Sequence, residues 1–159
     1  MMVIGFHNPE DPHGYLSNWY LSDFVADGIK FTSMEQYMMY QKAICFHDDA
    51  IASKIRNTDD VAKIKALGRK VRNYHDTIWN GVRQVVIYRG LLAKFSQNDK
   101  LKELLLATGE NILAECAVSD CIWGIGLSLK QNYQNLDNWK GQNLLGFALM
   151  LVRDELRKK

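Results

Sequence analysis

The chain has 159 residues, of which 47% are apolar and 24% charged, with only 2 Pro and 11 Gly. That is one ordered globular domain over residues 1–159, long enough to bury a core of its own and too apolar to be a tail or linker. Lys plus Arg number 20 against 18 Asp plus Glu, a formal net charge of +2, so overall charge alone does not mark a nucleic-acid binder.

The first 32 residues read as strands. Met2 to Phe6 is a short apolar run that ends in the turn-rich His7-Asn8-Pro9-Glu10-Asp11-Pro12. Phe24 to Phe31 carries Asp27-Gly28 at its centre, the pair that a two-residue primed hairpin turn needs. From Ser33 the period becomes helical. Ser33 with Gln36 forms a capping box and predicts a helix from Met34 to about Phe46. Asp48 and Thr58 read as N-caps of helices near 49–57 and 59–67, with Gly68 where a left-handed C-terminal residue is wanted. Asp76 opens a long amphipathic helix to about Ser96. Asn98 caps another to about Ala107, closed by Thr108-Gly109. Residues 112–118 read as a buried strand, and 119–141 as a long irregular stretch dotted with glycine. A last helix runs from about Asn143 to Leu156, with Arg157, Lys158 and Lys159 at its negative dipole end. The expected class is α+β: a helix-rich single domain with a small, mostly antiparallel sheet.

The longest apolar stretch, Leu144 to Val152, is nine residues with a Gly inside, whereas a membrane span needs roughly 20. Met1-Met2-Val3-Ile4-Gly5-Phe6 has neither a basic n-region nor a small-residue cleavage site, so no signal peptide is expected. Three cysteines without metal spacing point to free thiols in a reducing cytoplasm. The four histidines show no HxH or HxxxH pairing, so neither a metal nor any other cofactor is expected.

Three stretches could carry chemistry. Glu35 and Lys42 are seven residues apart and fall on one helix face two turns apart, flanked by Tyr37, Met38 and Gln41. They could be a reacting acid and amine, or a dipole-favouring carboxylate and a solvated charge. Asp120 precedes Trp123-Gly124-Ile125-Gly126, which puts a carboxylate, a stacking face and amides able to cradle anionic oxygen within a few residues. The alternative is that Trp123 anchors a loop and the glycines turn the chain. Between Lys63 and Arg72 lie five positive charges and no acid. Most suit a solvated face, and Arg69, beside Gly68, is the best-placed phosphate fork. Asn18-Trp19, Trp79 and Trp139-Lys140-Gly141-Gln142-Asn143 complete the set. Trp79 suits a core position, and Trp139 and Asn143 could simply lock the last helix.

Taken together these segments resemble the NADAR domain family, the YbiA-like N-glycosidases. The resemblance rests on Leu16-Ser17-Asn18-Trp19-Tyr20, the run Gly28 to Ala43 with its Ser-x-Glu-x-Tyr…Gln-Lys-Ala pattern, and Leu67-Gly68-Arg69. It continues through Trp79, Lys94-Phe95, Leu105 to Gly109, Glu115, Asp120, Trp123 to Gly126 and Trp139 to Gly146. It implies a YbiA-like fold and a hydrolase of N-glycosidic bonds to ribose. Two substrate classes go with the family: ADP-ribose on guanine, in nucleic acid or nucleotide, where the enzyme reverses a toxin's modification, and the ribosylamino-pyrimidine phosphates of early riboflavin synthesis. The long segment 127–142 with Trp139 tilts the expectation to ADP-ribosyl-guanine, with a toxin as genetic partner. Glu35, Asp120 and Lys42 are the expected catalytic residues. The carboxylates would stand near the ribose, and Lys42 would act as electrostatic partner or Schiff-base amine. Asn18, Arg69, Trp79, Trp123, Gly124, Gly126 and Asn143 are the expected substrate-binding residues. A non-catalytic ADP-ribose- or NAD-binding module is the reading from another class.

Overall fold

The computed structural model describes residues 2–158. Met1 and Lys159, the ends of the expected domain span and one of the expected C-terminal cations, lie outside it. The chain divides into two compact units, one of residues 1–20 with 98–159 and one of residues 21–97.

The second unit is built around a hairpin and four helices. Strands β2 (Phe24–Ala26) and β3 (Ile29–Phe31) pair antiparallel, with Phe24 opposite Phe31. Asp27 and Gly28 both take positive φ, 52° and 75°, as the two-residue turn requires. Helix α1 (Met34–Cys45) follows; α2 (Asp49–Arg56), α3 (Val61–Gly68) and α4 (Asp76–Ser96) complete the unit. The expected cap at Ser33 is present: its hydroxyl accepts the Gln36 amide at 3.1 Å. The Gln36 side chain reaches back one residue further than a capping box demands. It accepts from the Thr32 amide at 2.8 Å and donates to the carbonyls of Ile55 and Thr58, tying the start of α1 to the end of α2. Two local expectations shift. Asp60, not Thr58, caps α3, because the Thr58 hydroxyl is taken by the Asp60 amide while Asp60 accepts from Ala62 and Lys63. Gly68 ends α3 without positive φ; a Cβ there would sit 2.1 Å from the Met39 sulfur, so a side chain at this position would displace that of Met39. Ala43, Phe46, Ile55, Ile64, Leu67, Val71 and Trp79 form the core of these helices. Each large apolar side chain so buried contributes roughly 1.5–3 kcal/mol.

The first unit contains strand β1 (Val3–Phe6), helix α5 (Asp99–Ala107), strand β4 (Ile112–Glu115) and helix α6 (Leu144–Arg157), with short 3-10 turns at Gly14–Leu16 and Leu136–Asn138. β1 and β4 pair in parallel, Val3 beside Ile112 and Phe6 beside Glu115. The α+β class is therefore as expected, with its sheet content split into one antiparallel and one parallel pair. Each pair has a glutamine fork on an open edge. Gln97 accepts from the Val25 amide and donates to its carbonyl, both at 2.7 Å, and Gln134 does the same to Val3 at 2.9 and 2.8 Å. Val3, Ala114, Cys116, Ile125 and Leu127 form a core with Tyr133 and Trp139 against it. No helix among the described residues is long and apolar enough to cross a membrane, and the three cysteines are free thiols.

Two glycines make opposite predictions. A Cβ at Gly146, in the first turn of α6, would lie 2.0 Å from the Leu113 carbonyl oxygen. Gly146→Ala should therefore cost at least about 3 kcal/mol. Gly81, inside α4, faces open space, so Gly81→Ala should stabilise by roughly 0.5–1 kcal/mol. Urea denaturation of the two variants beside the wild type measures both.

Candidate functional site

The expected site residues divide between the units: Glu35, Lys42, Arg69 and Trp79 in residues 21–97, and Asn18, Asp120, Trp123, Gly124, Gly126 and Asn143 in the other.

In the second unit, α1 carries Glu35 at its second helical position and Lys42 two turns on. Glu35 is buried at 9% exposure. Lys42 is half-buried, and burial is the main reason its ammonium sits below the ordinary lysine range. Glu35 pushes it back up, Arg69 pushes it down, and Asp76 pushes it up. Arg69 caps the C-terminal end of α3, whose last turn lies on α1 through Gly68 and Met39. The structure thus brings Glu35, Lys42 and Arg69 into one electrostatic neighbourhood. Trp79 is only 5% exposed and belongs to the helical core. Two further residues join the electrostatic neighbourhood. The Lys42 Nζ stands 4.5 Å from the centre of the Tyr74 ring, and burial and the nearby Asp76 carboxylate hold the Tyr74 phenol above its ordinary range. The sequence marks Asp76 only as a helix opener and Tyr74 not at all.

In the first unit, Asp120 closes an Asx turn, its Oδ1 accepting from the amides of Ile122 at 2.9 Å and Trp123 at 2.8 Å. Trp123 is left partly exposed. Gly124 is buried against the carbonyls of Glu115 and Asp120, which a Cβ would approach to 2.8 and 2.9 Å, and Gly126 has φ +74°. Backbone packing and backbone conformation thus explain why both are glycine. Residues 121–125 are laced to 140–145: Lys140, Gln142, Asn143, Leu144 and Leu145 donate to the carbonyls of Ile125, Cys121, Gly124, Ile122 and Trp123 at 2.8–3.2 Å. Asn143 is fully buried in a left-handed conformation. Its side-chain amide donates to Leu113 and accepts from the Glu115 amide. It locks α6 to β4, with both ends of its amide already committed. Asn18 is also buried, just past the Gly14–Leu16 turn.

Glu115 is among the residues that carry the family resemblance, but no role in the site is expected of it. Its side chain is 14% exposed, with Oε2 3.8 Å from His7 Nδ1. Burial first, and then Asp120, pushes its carboxyl up to about 8, while the Cys116 amide pulls it down. Besides the resemblance, the signal in the sequence is a lone acid in the apolar run 112–118.

The NADAR domain model matches residues 5–157. The chain belongs to the NADAR domain family. Among its NADAR relatives is an N-glycosidase of Acanthamoeba polyphaga mimivirus, 44% identical over 79% of this chain and 75% of that protein. The N-glycosidase YbiA of Escherichia coli is 30% identical over 97% of this chain and 88% of its own. A riboflavin biosynthesis protein of Vibrio vulnificus is 32% identical over 98% of this chain, which spans 39% of that longer protein. The NMR structure of E. coli YbiA superposes with a TM-score of 0.82, covering 99% of this chain and 86% of that one at 30% identity.

The raised Glu115 carboxyl makes stability depend on pH in a defined direction. The folded chain holds a proton there to about pH 8, whereas the unfolded chain releases it near 4.5. This contribution is complete below pH 4.5 and is lost as pH rises towards 8. Glu115→Gln removes the dependence, so its stability relative to wild type should rise between pH 5 and pH 8 by on the order of a few kcal/mol. Lys94, fully buried and pushed down to about 7, titrates alike in both proteins and cancels in the difference. Urea midpoints at the two pH values check it; a constant difference would show that the carboxyl is not buried as described.

Proposed function

We propose that this chain removes ADP-ribose from guanine, in nucleic acid or nucleotide, by hydrolysing the C1′–N bond, and so reverses the action of a guanine-modifying toxin in the cytoplasm. The chain is a hydrolase acting on N-glycosyl bonds, the class to which the named NADAR N-glycosidases belong. The observation that carries the reading is on α1, where a buried carboxylate and an amine that burial has made less basic share one neighbourhood with a guanidinium.

Cleavage of the C1′–N bond sends its electron pair to the base nitrogen, which takes up a proton, while water supplies the hydroxyl at C1′ and loses a proton. Positive charge builds on C1′ in between. In this reading Glu35 and Asp120 stand near the ribose and stabilise that charge. Two backbone amides donate to one oxygen of Asp120 and so fix the orientation of its carboxyl group. Lys42 acts as electrostatic partner or as nucleophile. In the second case its neutral amine bonds C1′ as the base departs, ring opening gives an imine, and water cleaves the imine to return ADP-ribose and the free amine. Its lowered basicity makes the neutral form more accessible at neutral pH. Arg69 and the Gly124 and Gly126 amides would meet phosphate, Trp123 would stack on a base, and Asn18 would hydrogen-bond sugar or base. Trp79 and Asn143, both buried in packed cores, support these groups and do not touch substrate.

Incubation with an oligonucleotide carrying ADP-ribosyl-guanine should release ADP-ribose, and Glu35→Ala and Asp120→Ala should each lower the rate about a hundredfold or more. Equal release by all three proteins would remove both carboxylates from the mechanism. Cyanoborohydride present during turnover should add a reduced ADP-ribosyl adduct at Lys42 if the covalent route operates. A second reading, hydrolysis of ribosylamino-pyrimidine phosphates, is favoured by the relative named for riboflavin biosynthesis. The same proteins assayed on that substrate decide between the two.

A further inference from the structure

We propose that Tyr74 is a positioning residue for Lys42: its ring face, packed against Phe46, fixes the lysine nitrogen and favours its charged form. The inference rests on the reading of Lys42 as a group at the reaction site, although the contact itself can be tested without any substrate.

Tyr74 is exposed, but the backbone that carries its ring is constrained. Tyr74 lies in the connection between α3 and α4, and that connection is tied down at three points. The buried carboxylate of Asp48, which caps α2, accepts from the Arg72 amide at 2.9 Å and stands 3.7 Å from the Arg72 guanidinium nitrogen. Asn73 takes the left-handed conformation, φ 62°, which redirects the chain immediately before Tyr74. His75 then caps α4, its Nδ1 accepting from the Thr77 amide at 3.2 Å. The ring of Tyr74 meets that of Phe46, the residue that ends α1, at 5.2 Å between centres and 56° between planes. The Lys42 nitrogen lies 4.5 Å from the centre of the same ring.

The energetic consequence follows from the charge. A π face attracts an ammonium and not a neutral amine. Tyr74 therefore works with Glu35 and Asp76, which also favour the charged form, and against burial and Arg69, which oppose it. Burial and Asp76 keep the phenol itself above its ordinary range, so at neutral pH the ring is not a phenolate and its attraction is that of the π face.

The test is the pH profile of Lys42 acetylation by acetic anhydride in the full chain, followed by peptide mass spectrometry, for wild type, Tyr74→Phe and Tyr74→Leu. Tyr74→Phe keeps the face and should match the wild-type profile within about twofold. Tyr74→Leu removes it and should move the profile to lower pH, raising the Lys42 rate at pH 7 about two- to fivefold with distant lysines unchanged. An unmoved profile in Tyr74→Leu overturns the proposal. So does a shift in Tyr74→Phe as large as that in Tyr74→Leu, because the hydroxyl and not the face would then be the agent. A wild-type chain that releases no ADP-ribose but gives these profiles would sink the hydrolytic reading and leave the contact standing.

Discussion

An ammonium taken half out of water has to be compensated, and the polar side of the second unit is organised around that requirement. Lys42 loses hydration on α1, and the surrounding groups act on it with opposite signs: Glu35 and Asp76 support its charge and Arg69 opposes it, while the Tyr74 ring adds an attraction that depends on the charge being present. Burial is the largest of these influences, and the charged neighbours act on the amine in both directions. An amine under such opposing influences can change protonation for a small change in surroundings, which is the property expected of a group that meets an anionic nucleotide or forms a bond to C1′.

The first unit solves a different problem, holding an irregular loop in one conformation without regular secondary structure. Residues 121–125 have no strand partner in the formal sense, yet their carbonyls are taken in turn by the amides of 140–145. Asn143 joins this seam to β4, and Gly146 lets α6 approach the Leu113 carbonyl closely. Asp120 is thereby presented from a backbone bonded on both flanks, and its carboxylate orientation is set by the amides it accepts from. Rigid backbone beneath a carboxylate reduces the reorganisation needed when charge develops beside it.

What the sequence made legible was local. The Asp27-Gly28 turn, the caps at Ser33 and Asp48 and the span of α4 each depend on residues within a few positions of one another, and each stands where the pattern put it. The expected cap at Thr58 is displaced to Asp60, because it is the Asp60 carboxylate that reaches the free amides of the first turn. Gly68 was read through its backbone freedom, but what a side chain there would meet is Met39 on another helix. The parallel pairing of β1 with β4 joins segments more than a hundred residues apart with no turn between them to announce it. Tyr74, and the role of Glu115, escaped because they depend on contacts and burial that join separate stretches of the chain. Family resemblance reached Glu35, Lys42 and Asp120 because it carries pattern across such distances.

The glutamine forks at Val3 and Val25 have an effect beyond the hydrogen bonds they complete. A two-stranded sheet leaves unpaired main-chain groups along both outer margins, and such margins invite a strand from another molecule. A side-chain carboxamide presents one donor and one acceptor with the spacing of a peptide group, so each fork occupies its margin as a single residue of a missing third strand would. At those two valines the chain blocks recruitment from outside with atoms of its own, and it does so without the length or flatness that a full extra strand would bring.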